Sequence, residues 1–301
     1  MNFRRFLGIL FAVVVVFGLT RSLFGWGFWA HKEINRAAID ALPETLRAFF
    51  RAHADSIIEN SIRPDLRRNS VEREQYYHYI DIDRYGKYPF PELPHDITMA
   101  MEKFGAEGAV GADSVLKNGI VPWRIAELVD SLTDAMREER VEEAVFYAAD
   151  LGHYVADIHM PLHTTENYDG QLTGHKGVHW RFETGITERY GKEYDLHADG
   201  AAYVENPLEY AFDAVLESYQ FVDSVLYADG KAREGIPESE LYTVVTRNGK
   251  KEYQYSVEYY DRFNGYLNGL AERRMRAAVR RVASLWYTAW VKAGEPNLPI
   301  E

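Results

Sequence analysis

Residues 151–163 read LGHYVADIHMPLH, and the rest of the chain is best read outward from them. Upstream, the stretch from about Glu142 to His159 carries Val145, Ala149, Val155 and Ala156 on one broad face, which predicts a helix. His153 and Asp157 are four residues apart, so that helix turns both side chains to the same side. His163 lies just beyond Pro161, where the chain can leave the helix and turn back toward the same centre. A buried imidazole beside a buried carboxylate needs a reason to be there.

A second pair follows in KGVHWRFE, residues 176–183, where His179 and Glu183 are again four apart. Two such pairs suit a hard-to-borderline divalent metal, zinc first. The competing reading is two surface ion pairs on amphipathic helices. The glycine and apolar neighbours of each pair speak against it.

Helical spacing continues on both sides. Trp29 to Phe50 has Ile34, Ala37, Ala38 and Ala41 in register, and Pro43 divides it into two helices. Residues 61–95 hold Pro64, Pro89, Pro91 and Pro94 and read as irregular. Within them, Arg63-Pro64-Asp65 is followed by YYHYIDID, residues 76–83, whose alternation around His78 predicts an extended segment. Asp65 alone suggests no more than a turn cap, and Asp81 and Asp83 are ligands by residue type only. Pro122 opens a helix to about Met136. Residues 164–177 read as a glycine-rich loop, with a helix starting near Val178. Residues 207–226 form another amphipathic stretch, and a last helix spans about Phe263 to Val291. Between them Tyr242, Val244 and Thr246 lead to Asn248-Gly249, then Tyr253 and Tyr255, a β-hairpin pattern. The expected fold is mainly α, a single multi-helix domain with a small β-hairpin near 241–255.

The chain has 301 residues, ten histidines and no cysteine, with a net charge of −12. Without cysteine there are no thiolate zinc fingers, iron–sulfur clusters or cysteine nucleophiles, so any metal sits on His, Asp, Glu, water or backbone. The negative charge argues against a broad electrostatic grip on nucleic acid, although metal ions supply positive charge locally. Arg4 and Arg5 precede an apolar run from Phe6 to Leu19, too short to span a bilayer comfortably. Residues 1–25 therefore read as a secretory signal peptide, with a retained N-terminal anchor as the alternative. Cleavage after Gly25 removes three arginines and no acid, and starts the mature chain, residues 26–301, at WGFWAH. There the α-amino group and carbonyl of Trp26 form a potential chelate near His31. The plain alternative is two tryptophans in the core and a capping histidine.

Taken together, these residues resemble the zinc-dependent phospholipase C and S1/P1 nuclease superfamily. The markers run in the family's order: WGxxxH, an isolated Asp, HYID, HxxxDxxxxxH and HxxxE. The resemblance implies a mainly helical fold holding three zinc ions. It implies that Asp65, His78, His153 and Asp157 hold one zinc. Trp26, His31 and Asp157 would hold another, so that Asp157 bridges the two. His163, His179 and Glu183 would hold the third, more exposed ion. His53, His95, His159, His175 and His197 match no ligand position.

The implied activity is phosphodiester hydrolysis. Paired zinc ions lower the pKa of a water and neutralise charge on the phosphate. Asp65 and Asp157 are the expected catalytic residues. The nucleophile is either a zinc-bridging hydroxide or a water activated by Asp65. HxxxE, the sequence between Pro161 and Glu183 and the lack of cysteine resemble the bacterial phospholipase C branch. WGFWAH and His159 resemble the nucleases. Leu66 and Gln75 replace aromatics that choline-specific phospholipases carry. The expectation is a secreted or periplasmic phospholipase C-type enzyme acting on a lipid phosphodiester, with peripheral membrane contact and no protein partner evident. The alternatives are a single-strand nuclease or nucleotidase, and a catalytically inactive zinc-binding or membrane-surface protein. Tyr76, Tyr77, Tyr85, Trp123 and Trp180 are candidates for a lipid or base pocket.

Overall fold

Apolar spacing makes Phe28–Asp40 helix α1, and Pro43 ends it, so that α2 (Glu44–Ala52) begins afresh. The computed structural model describes residues 26–105, 113–247 and 250–300. Two short helices follow, α3 (Ala54–Asn60) and α4 (Arg63–Arg67). Pro64 sits in the first turn of α4, where its missing N–H leaves no bond unmade.

The proline-rich stretch is irregular apart from α4 and two 3-10 turns, Glu74–Tyr77 and Ile82–Tyr85. The extended segment expected around His78 does not form. His78 itself has φ −93° and ψ −11°. The backbone groups here find partners without a ladder: Ile80 N–H donates to His163 O at 2.9 Å, and Tyr79 O accepts from Val121 N–H at 3.3 Å. Once these groups are bonded to two separate segments, no neighbouring strand is required. Helices α5 (Ile97–Gly105) and α6 (Asp113–Lys117) follow.

Helix α7 (Val121–Arg137) opens with Pro122 and packs along α8 (Val141–Asp157). Every residue of α8 from Ala148 to Asp157 is buried. The single apolar face expected from the sequence understates this, because α1, α3, α7 and the last helix of the chain all pack on α8. Trp26 fastens the start of the described chain to α8, its indole N–H donating to Ala156 O at 2.8 Å.

The close approach of α1 to α8 depends on Gly152. A Cβ built there would lie 1.9 Å from Asn35 Oδ1. Asn35 in turn donates to His31 O at 2.9 Å. The absent side chain thus lets the helix bearing His31 settle beside the helix bearing His153.

After the expected loop, one helical run changes character twice: α9 (Val178–Trp180), a π-helical turn (Arg181–Ile186) and α10 (Thr187–Tyr190). The stretch 207–226 is two helices, α11 (Pro207–Tyr219), capped by the Asn206 side chain, and α12 (Val222–Arg233). Helix α13 (Glu238–Leu241) leads into β1 (Tyr242–Arg247), which pairs antiparallel with β2 (Lys250–Tyr255). The Asn248-Gly249 turn and the signal segment 1–25 lie outside the described residues.

The final helix is also divided, into α14 (Val257–Leu267) and α15 (Leu270–Lys292). Asn268 and Gly269 both take left-handed conformations, with φ 47° and 73°, which a right-handed helix does not pass through. Asparagine and glycine are the residues that tolerate them at a helix end. Trp286 of α15 donates to Ala148 O at 3.0 Å and closes the core over α8. Among the described residues no helix is long and apolar enough to cross a membrane.

Candidate metal centre

Helix α8 supplies the centre. His153 and Asp157 project from its buried half, where neither is exposed to solvent. His153 Nδ1–H donates to Ser61 O at 2.8 Å, which fixes the tautomer and leaves the Nε2 lone pair facing inward. That atom lies 3.0 Å from His78 Nδ1, 3.2 Å from Asp157 Oδ2 and 3.9 Å from Asp65 Oδ1. The two oxygens of Asp157 address different partners. Oδ2 faces His78 Nδ1 at 3.0 Å, while Oδ1 faces His31 Nε2 at 3.5 Å and His163 Nδ1 at 3.6 Å. His31 also stacks on His153, with ring centroids 4.0 Å apart.

His163 links this group to a second. It sits on a 3-10 turn, Pro161–Thr164, beyond the end of α8. Its Nε2 is 3.3 Å from His179 Nε2, which lies 2.5 Å from Glu183 Oε2. His179 Nδ1–H donates to Tyr168 O at 3.0 Å. The close approach of His179 Nε2 to a carboxylate therefore brings two lone pairs together, and a cation or a proton must lie between them.

Eight of the nine expected ligands thus fall into three clusters, the first two sharing His153: His31, His153 and Asp157; Asp65, His78 and His153; and His163, His179 and Glu183. Within each, the ligand atoms lie within 4.8 Å of one another. Trp26, the ninth, is fully buried, its indole bonded to the residue before Asp157 and its ring 5.7 Å from that of Phe182. The other five histidines stand outside the clusters. His95 pairs with Glu209, His175 pairs with Asp229, and His159 donates to Val155 O. His53 packs on Phe49, and His197 is exposed. Asp83 accepts from the Thr165 hydroxyl and the Glu166 amide, so it clasps a loop.

The electrostatics of the centre suit cations. Burial pulls His78 and His163 down to about 3 and His179 to about 4, and holds His31 well below its ordinary value. These imidazoles are neutral, with lone pairs free to ligate. Burial also pulls on His153, but Asp157 and Asp65 outweigh it and push His153 up to about 9. Burial alone would raise Asp157; the neighbouring His153 and His163 hold it well below the usual carboxylate range. Glu183 goes the other way, raised first by burial and then by repulsion from Asp65 and Asp157. Three buried carboxylates crowd this centre, with His153 the one imidazole held protonated among neutral ones, so their charge is only partly compensated until further positive charge arrives. The donor set is nitrogen and carboxylate oxygen, which fits zinc.

Supporting residues were invisible to motif reading. Glu74 Oε1 stands 3.9 Å from His78 Nε2, and Glu74 itself pairs with Arg67 and accepts from the Tyr154 hydroxyl. Arg67 and Arg63 both pair with the buried Asp150 of α8. Behind the outer cluster, Arg181 lies between His179 and Glu183 in sequence. It donates to Asp229, to His175 O and to Lys176 O. Asp229 also accepts from Tyr259 and Arg233. The one available signal was polar residues inside apolar helical runs, as at Asp150.

A cavity of about 170 Å³ opens onto the centre, lined by Arg68, Gln75, His78, Tyr79, Asp81, Leu162, His163, Tyr168 and His179. Its aromatic walls are Tyr79 and Tyr168; none of Tyr76, Tyr77, Tyr85, Trp123 or Trp180 lines it. Leu66 is 61% exposed and stands away from it. Burial, then Asp83, lifts the cavity's Asp81 to about 7.

Comparison with known proteins identifies the class. Residues 30–227, well over half of the chain, match the family model described as zinc dependent phospholipase C. The chain belongs to the zinc-dependent phospholipase C family. Among solved structures it is similar to alpha toxin from Clostridium absonum, with a TM-score of 0.53 and 14% identity, covering 90% of this chain and 65% of the toxin. It is also similar to the alpha-toxin of Clostridium perfringens isolated from an avian strain, with a TM-score of 0.52 and 12% identity, covering 89% and 64%. The likeness is one of fold, and the chain spans just under two thirds of either toxin's length. No curated protein matches by sequence.

Proposed function

We propose that the protein is a secreted phosphodiesterase that hydrolyses phospholipids as a phospholipase C does, with residues 1–25 a cleaved signal and residues 26–301 the catalytic domain. Three zinc ions per chain would be held by Asp65, His78, His153 and Asp157; by Trp26, His31 and Asp157; and by His163, His179 and Glu183. The observation that carries this reading is the shared carboxylate of Asp157, with one oxygen toward His78 and His153 and the other toward His31 and His163.

Zinc bound there supplies Lewis acidity toward phosphate oxygens and lowers the pKa of a water. The protein's own groups do the rest. Asp65 accepts the proton of the attacking water. Arg68, on the cavity wall, offers a guanidinium to the phosphate. Burial is the main cause that lowers the pKa values of His78, His163 and His179, and the positive charge of Arg68 adds to it. The water oxygen bonds to phosphorus, the bond from phosphorus to the diacylglycerol oxygen breaks, and that oxygen takes up a proton. The products are diacylglycerol and a phosphomonoester.

The test is a substrate panel with the purified mature chain. Diacylglycerol release from phospholipid is expected, lost on chelation and restored by zinc. Cleavage of single-stranded DNA with phospholipid untouched would replace this reading with the nuclease one. No hydrolysis of either after zinc is restored would leave a zinc-binding protein without activity.

A further inference from the structure

The hairpin β1–β2 has a surface unlike that of an ordinary solvated edge. Its register sets Tyr242 opposite Tyr255 and Val244 opposite Tyr253. Alternation along each strand places these four side chains on one face, with Thr243, Val245 and Gln254 on the other. Tyr242 is 40% exposed, Val244 50% and Tyr253 79%. Only Tyr255, at the root, is partly buried. It packs on Tyr259 with ring centroids 4.2 Å apart, and the Arg181 guanidinium lies 4.5 Å from its ring centre. A two-stranded ribbon gains little stability alone, and an ordered apolar face left in water marks an interaction surface. The hairpin lies beyond residues 30–227, so the family match does not account for it.

The residue types select the partner. Tyrosine, with an apolar ring and a polar tip, suits the headgroup level of a bilayer. In sequence, the strand ends next to the turn carry Arg247, Lys250 and Lys251 against one acid, Glu252, in a chain whose net charge is −12. A locally basic stretch on an acidic protein is complementary to phosphate headgroups. The position fits as well. Tyr255 stacks against Arg181, which lies between the outer-cluster residues His179 and Glu183, so the hairpin is rooted on the helical run that builds the centre.

We propose that the Tyr242–Val244–Tyr253 face is a docking surface that seats the protein on a phospholipid bilayer containing anionic headgroups. This rests on the phospholipase reading, since the bilayer is then also the substrate. The experiment uses the full mature chain and the double variant Val244→Ser/Tyr253→Ser, with both changes at exposed positions. Co-sedimentation is measured with vesicles of equal parts phosphatidylcholine and phosphatidylglycerol. The variant should bind at least about tenfold more weakly, from the loss of buried apolar area. Its hydrolysis of a dispersed short-chain phospholipid should match the wild type. Equal vesicle binding by the two proteins would overturn the proposal, as would a wild-type dimer in light scattering that the variant converts to monomer. If the wild type hydrolyses neither dispersed nor vesicular lipid, the phospholipase reading fails, while the binding comparison still decides the docking face.

Discussion

The inner and outer parts of the metal centre are built from similar side chains but held by different forces. The inner group takes His31 from α1, Asp65 from α4, His78 from an irregular segment, and His153 and Asp157 from α8. Helix packing fixes it: α1 touches α8 at Gly152, and Trp26 and Trp286 fasten the core to α8. The outer group sits on a 3-10 turn and on a helical run that turns π-helical at Arg181. It is backed by an ionic knot around Asp229. Away from the ligands themselves, the surroundings of the inner part should therefore be sensitive to changes of shape, and those of the outer part to changes of charge.

The largest effect is expected at Asp157, the residue common to the inner partners. Asp157→Asn keeps the volume but removes the shared anion. Bound zinc should fall to about one per chain, and hydrolysis should drop by on the order of a thousandfold or more. An Asp157→Asn variant that keeps all its zinc would show that the inner ions do not depend on a common carboxylate.

Next comes Asp229→Asn. Removing the anion leaves Arg181 buried without its partner, which costs about 3–5 kcal/mol in urea unfolding at neutral pH. Burial alone would raise the pKa of Asp229, but Arg181, Tyr259, His175 and Arg233 hold it below the usual carboxylate range. A depressed carboxylate stabilises the fold above its unfolded pKa of about 4 and loses that contribution as pH falls through its lower folded value. Wild-type stability should therefore fall steeply below about pH 4, and the variant should be flatter there. Zinc should be lost from the outer site first.

Gly152→Ala tests shape. The added methyl meets Asn35 Oδ1, so α1 must shift, at about 1–3 kcal/mol. Zinc titration should show weakened inner sites and an outer site near normal. The smallest effect belongs to His197→Ala, at an exposed position outside every cluster. Stability should stay within about 0.5 kcal/mol, with zinc content unchanged.

These differences also explain what the sequence disclosed. His153 with Asp157, and His179 with Glu183, were legible because helical spacing alone puts them on one side. The division at Pro43 and the opening at Pro122 were legible because proline acts locally. The break at Asn268-Gly269 hid inside an otherwise periodic run, and the π turn at Arg181 leaves no mark on spacing. His78 misled because alternation resembles a strand, whereas its neighbours' backbone groups bond to the segments at Val121 and His163. The Asp229 knot draws on residues from 175 to 259, and no local pattern announces partners so far apart. Gly152 looked like an ordinary helical glycine until Asn35 was placed against it.

The most direct test is the zinc stoichiometry of the mature protein, measured by inductively coupled plasma mass spectrometry on wild type and Glu183→Gln. The account predicts three zinc ions per wild-type chain, with phospholipid hydrolysis, and two in Glu183→Gln, with hydrolysis strongly reduced. A wild-type chain that hydrolyses phospholipid with one zinc or none, or a Glu183→Gln chain that still holds three, would contradict it.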